Sequence, residues 1–169
     1  MNSPEAPPPE LAPGLGTTEA APTIAESASL RDAQLVAARV SADEEAADVE
    51  RARLSSEPLT GLAHGIEPNL ALGPDELVHA VRHAAILEPR GAAEQEGGTL
   101  YLTSHRLVHI GTQVREVDLE AITEIAVSLE RLLLVGLTDG SDLAIEVDQP
   151  RLLRVQLAAA RAAARERAA

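Results

Sequence analysis

Residues 97–111 read GGTLYLTSHRLVHIG, and this stretch decides the fold. Leu100 and Leu102 alternate with Thr99, Tyr101 and Thr103, which is the period-two pattern of a half-buried strand. TSHR makes a turn and RLVHI returns. Closing the hairpin tightly across Ser104–His105 sets Leu102 opposite Leu107 and Leu100 opposite His109. The leucine face is then continuous across two strands and forms one wall of a core.

Downstream, VREVDL (114–119) supplies another strand, and EAITEIAVS (120–128) a turn and a further strand. RLLLVGLTDGSDLAIEVD (131–148) is a second hairpin, its strands flanking Asp139-Gly140, a pair suited to the positive backbone angles of tight turns. Leu143, Ile145 and Val147 alternate with polar or small residues. Asp148 stands just ahead of Pro150, which suits the first turn of a helix running on through PRLLRVQLAAARAAARER. Leu153, Leu157 and Ala160 form its apolar stripe.

Upstream, EPRGAAEQEGG (88–98) reads as a loop. ELVHAVRHAAILE (76–88) fits a strand with Val78, Ala80, Ala84 and Ile86 on one face, or a helix; strand is preferred because strands follow. Residues 55–71 are a Pro- and Gly-bearing linker. Residues 28–54 form an amphipathic helix with a thin apolar face (Leu30, Ala33, Ala37, Val40, Val49), and Ser29 with Asp32 resembles a capping box. That helix is either a solvated charged one or one that binds a partner. Residues 1–27, rich in Pro, Ala and Glu, have too little to bury and are expected to be a disordered tail.

Composition narrows the function. Hydrophobic residues make up 45% of 169 and aromatics 1%, so the core is built from Leu, Val, Ile and Ala. All 14 basic residues are arginines, which together with abundant alanine points to a GC-rich genome. Without cysteine there is no disulfide, thiolate catalysis or Cys-type zinc site. The first residues lack the basic and apolar regions of a signal peptide, and the longest strongly apolar run, LLLVGL, falls short of the roughly 20 residues that cross a bilayer. A cytoplasmic protein is expected. Residues 1–60 carry 11 acidic side chains against 4 arginines and 61–150 carry 15 against 5, whereas 151–169 carry 1 against 5. An acidic body repels phosphate backbones, so nucleic acid is not the expected partner.

The phrase G-T-L-Y-L-T-S-H-R-L-V-H-I, then V-D-L-x-A-I-T-E-I, a hydrophobic strand, an Asp-Gly turn, a strand and a terminal helix resembles the pleckstrin-homology-like superfamily. It is most similar to GRAM-type and bacterial PH-like domains, although His109 stands where those often carry an aromatic. The resemblance spans about 72–165. It implies a mainly β fold, an antiparallel barrel or sandwich plugged by a C-terminal α-helix, preceded here by the disordered arm with its one helix. It also implies a binding or scaffolding module that is not an enzyme.

The candidate sites are weighed on charge and geometry. In the loop between the first two strands, where phosphoinositide-binding members place basic residues, Arg90 stands alone beside Glu88, Glu94 and Glu96, the wrong sign for an anionic headgroup. Arg154, Arg161 and Arg165 fall along one helical stripe that fits an anionic surface or simply balances the acidic body. The pairs His79/His83 and His105/His109, read on strands, are too far apart to chelate one ion, and neither carries the adjacent Glu of a zinc-protease motif. Asp139 and Asp142 belong to a turn, Asp118, Glu120 and Glu124 flank a strand end, and no Ser-His-Asp set or glycine-rich phosphate loop stands out. No metal or cofactor is expected. What remains is a non-catalytic adaptor that binds a protein partner or itself, with peripheral binding to anionic lipid as the alternative. Core positions are expected at Leu100, Leu102, Leu107, Ile122, Ile125, Leu134, Leu143, Ile145, Val147, Leu153 and Leu157.

Overall fold

The computed structural model describes residues 24–62, 70–87 and 96–169. The loop with Arg90, and the tail up to residue 23, lie outside the described residues.

The first hairpin forms as its alternation requires. Strand β1 (Val78–Leu87) pairs with β2 (Glu96–Thr103), and β2 with β3 (Arg106–Ile110). Leu102 faces Leu107, Leu100 faces His109, and all four are buried. β2 begins earlier than the leucine alternation indicates. Gly97 and Gly98, read as loop, are strand residues opposite Ala85 and Ala84. Gly98 is needed as glycine: a Cβ there would lie 2.3 Å from the Ile110 carbonyl oxygen and 2.7 Å from His109 Nε2. The His109 ring takes that space, and its Nε2–H donates to the Ala84 carbonyl at 3.2 Å. One nitrogen of this buried imidazole thus finds a backbone acceptor, while Nδ1 has no hydrogen-bond partner among the described residues.

After β3 come β4 (Val114–Asp118), a 3-10 turn (Leu119–Ala121), β5 (Ile122–Ser128), β6 (Leu132–Leu137) and β7 (Asp142–Val147). Residues 78–87 are strand, not helix, and β1 is the central strand of one antiparallel sheet ordered β4-β3-β2-β1-β7-β6-β5. The sheet is not closed: β4 and β5 are its two edges. The corner between them is fixed by the buried Leu119, whose N–H donates to His105 O at 2.9 Å, and by Thr138 N–H to Ala121 O at 2.9 Å. At the Asp-Gly turn Gly140 has φ +82°, and the Asp139 carboxylate accepts the Ser141 N–H and hydroxyl at 2.9 and 2.6 Å.

One expected core residue is misplaced. Leu133 and Val135 are fully buried, while Leu134 is only partly so. Three consecutive leucines offer no alternation, and a one-residue change of phase flips every side chain. The phase is set by pairing instead: Leu133 lies opposite Ile145 and Val127, and Val135 opposite Leu143 and Ile125. Ile125 and Leu143 pack against the core but are partly exposed.

Helix α2 (Pro150–Ala168) closes the sheet, burying Leu153, Leu157, Ala160 and Ala164 in the same cluster as Leu100, Leu102 and Leu133. Asp148 does not cap it; that carboxylate lies 3.3 Å from Arg131. Gln149, in the left-handed region, makes no side-chain cap either. The cap comes from 108 residues away. Asp43 of helix α1 (Ile24–Leu54), only 3% exposed, accepts the Arg151 and Leu152 N–H groups at 2.9 and 3.0 Å. A carboxylate there satisfies orphan donors and meets the positive end of the helix dipole.

The second half of α1 therefore docks on α2, with Ala47 buried and Glu50 bonded to Arg53 at 2.8 and 2.9 Å and to Gln156. Ser29 does not start this helix, which begins at Ile24. In the first half, residues 28–39 are exposed at every position.

Candidate functional site

A buried polar node positions the site. Glu76, just ahead of β1, receives two bonds from Arg106 (2.9 and 3.0 Å), the Thr103 hydroxyl at 2.7 Å and the Gly73 N–H at 2.9 Å. Arg106 also donates to Glu116 at 2.7 Å and to the Ala71 carbonyl at 2.8 Å. Burial alone would raise the Glu76 pKa; the Arg106, Gly73 and Thr103 bonds outweigh it and hold the carboxyl down to about 2. Thr103 Oγ1 in turn accepts the Arg106 and His105 N–H groups at 2.9 and 3.2 Å. The Thr and Arg of the TSHR turn thus hold the turn to the segment before β1, and they bind the protein to itself rather than to a ligand.

The turn so held presents Ser104 and His105 to the C-terminal end of α2. Ser104 N–H donates to the Leu77 carbonyl at 2.8 Å, Leu77 N–H to Ser104 Oγ at 3.1 Å, and the Arg167 guanidinium to the Ser104 carbonyl. The chain leaving α1 is laid along β1: Leu62 N–H donates to Val78 O at 2.7 Å, and Leu59 packs on the core. His79 Nδ1–H donates to the Thr60 carbonyl at 2.9 Å, which leaves Nε2 as an acceptor. Burial lowers the His79 pKa, the Thr60 carbonyl opposes this, and the positive charge of Arg167 adds to the lowering.

Between these parts lies a cleft of about 560 Å³. Its walls are apolar, from Leu54, Leu59, Leu77, Ala160 and Ala163, and carboxylates stand around it at Glu57, Asp75 and Glu166. The volume is that of a ligand site, roughly 300–1,000 Å³. Beside the apolar area and the exposed carboxylates, the cleft presents the imidazoles of His79 and His105 and the guanidinium of Arg167. Among the described residues no three His, Asp or Glu side chains are grouped to hold a metal ion. The histidine pairs diverge, with His83 exposed, His79 bonded to Thr60, His105 on the turn and His109 in the core.

The arginines singled out from the sequence lie elsewhere. Arg154 and Arg165 are exposed and Arg161 is partly buried, on a flank of α2 that contributes nothing to the cleft. Burial lowers the Arg161 pKa, and the neighbouring Arg165 charge lowers it further. Arg154 instead borders a shallow groove with Arg51, Leu54 and Val155. The residues that sequence reasoning missed are Asp43 and Glu76. Each is one acid among 27, and only the fold distinguishes them. No helix among the described residues is long and apolar enough to cross a membrane.

Neither a protein-family model nor a curated protein matches the chain. Among solved structures, the chain is similar to the C-terminal domain of an unknown protein from Leishmania infantum, with 17% identity and a TM-score of 0.47 over 52% of this chain and 85% of that one. It is also similar to the N-terminal PH domain of human ARAP2, with 12% identity and a TM-score of 0.40 over 56% of this chain and 86% of that one. The chain folds as one open, seven-stranded antiparallel sheet with a C-terminal helix packed on it, the mainly β order with a terminal helix that the sequence implied.

Proposed function

We propose that this chain is a non-catalytic, GRAM-like binding module that takes an apolar, basic-flanked segment of a partner protein in the cleft beside the C-terminal end of α2. The observation that carries this reading is the pairing of an apolar wall (Leu54, Leu59, Leu77) with the carboxylates of Glu57, Asp75 and Glu166. Apolar contact supplies affinity, and complementary charge supplies selection and encounter rate. The acidic charge of the whole chain acts in the same direction.

The second reading is peripheral binding to anionic lipid through Arg154, Arg161 and Arg165; it is supported by the exposure of Arg154 and Arg165 on one flank. The chain's net charge of −13 opposes it. Capture from a lysate with full-length protein and with Ala163→Arg, run beside vesicles containing phosphatidylserine, separates the two. A partner retained by the wild type and lost with Ala163→Arg supports the cleft. Vesicle binding that falls steeply with salt and survives Ala163→Arg supports the arginine flank.

A further inference from the structure

The first half of α1 carries apolar side chains that no described part of the chain covers: Leu30 and Leu35 are 58% and 57% exposed, and Val36 37%. Single exposed leucines are ordinary on protein surfaces, so position rather than exposure matters. In the second half of α1 the face turned to α2 is marked by Asp43, Ala47 and Glu50. At 3.6 residues per turn that face continues backwards through Arg39, Val36 and Asp32, with Leu35 on its flank. The exposed stretch 28–39 thus runs about three turns past the domain with nothing described lying on it. At that edge the β5–β6 turn holds Leu129 79% exposed at φ +56°. That backbone conformation costs a leucine roughly 1 kcal/mol, so a large apolar side chain is kept at a strained tip. Glu130 and Arg131 of this turn share a cleft with Arg39 and Ala42, so the turn abuts the base of the stripe.

The charges on the stripe select its occupant. Leu35 and Val36 sit between Asp32 on one side and Arg39 on the other, each three residues from the nearer apolar side chain. Both charged residues are exposed, and no ion pair engages either among the described residues. A second copy turned about a two-fold axis between Leu35 and Val36 brings its Arg39 to Asp32, its Asp32 to Arg39 and its Val36 onto Leu35. A parallel copy would oppose Asp32 to Asp32. Under the antiparallel two-fold the stripe is self-complementary, as an isologous contact requires, and under a parallel one it is not.

We propose that two copies of this chain associate through an antiparallel, two-fold pairing of α1 over residues 28–42, with Leu35 and Val36 at its centre and two Asp32–Arg39 pairs across it. Each paired segment is about 22 Å long. The contact therefore belongs with weak interfaces below about 1,200 Å² and dissociates on dilution. It uses a different part of the molecule from the cleft, so neither proposal depends on the other.

Sedimentation equilibrium of the full-length chain, from about 1 to several hundred micromolar, is the test. The wild type should pass from monomer to dimer. Asp32→Arg and Arg39→Asp alone each place two like-charged pairs across the seam and should weaken the dimer by about tenfold. The double variant Asp32→Arg/Arg39→Asp re-forms both pairs and should restore it. Leu35→Gln, which leaves the charges intact, should also weaken it and decides the matter if a charge variant loses its thermal transition. A wild type that stays monomeric throughout, single reversals without effect, or a double variant that fails to recover overturns the proposal.

Discussion

Gly98 and His109 are coupled by space: the ring lies where a side chain at 98 would be, and its Nε2–H needs the Ala84 carbonyl. Gly98→Ala should therefore cost about 1–3 kcal/mol through overpacking against backbone, read from urea denaturation. An unchanged midpoint would place the ring elsewhere. Glu76 makes a second prediction. Its folded pKa, about 2, lies below the ordinary 4.5, so its contribution is present above pH 4.5 and is lost as pH falls towards 2. Glu76→Gln should flatten the acid limb of the stability profile in that window and leave its pH dependence near neutrality alone. At this scale the TSHR turn was legible and its purpose was not. The sequence marks a turn between alternating runs, but Glu76 meets Thr103 and Arg106 only after β1 lies beside β2.

Among the elements, α2 is the one whose end is completed from outside. Asp43→Ala removes the acceptor for two α2 N–H groups and should cost about 1 kcal/mol, within the 0.5–2 kcal/mol range of lost caps. It should also raise amide exchange over 43–54, where α1 docks; exchange confined to α2 would mean that α1 is held by other contacts. Helix signals in the sequence misplaced both caps, Ser29 for α1 and Asp148 for α2. Capping patterns are local in sequence, and a carboxylate 108 residues away satisfies the same donors without leaving a local signature. The β6 phase failed for a related reason: LLL carries no period, and only pairing with β5 and β7 selects Leu133 and Val135.

For the molecule as a whole, one apolar cluster joins both halves of the sheet to α2, so damage on any wall should be felt throughout. Leu102→Asp places a charge on the inner face beside Leu107 and should abolish the cooperative thermal transition. A melt like that of the wild type would mean that the hairpin register is wrong. By itself, the sequence determined the first hairpin and its register, the Asp-Gly turn and the terminal helix, because each rests on a period or a turn preference contained within a few residues. Only the tertiary structure decided which leucines of β6 face inward, that α1 caps α2, that Glu76 bonds to Thr103 and Arg106, and that a carboxylate-rimmed cleft forms at the end of α2. Those features depend on side chains brought together from distant parts of the chain, and neither hydrophobic period nor charge at one end of such a contact specifies what will stand at the other.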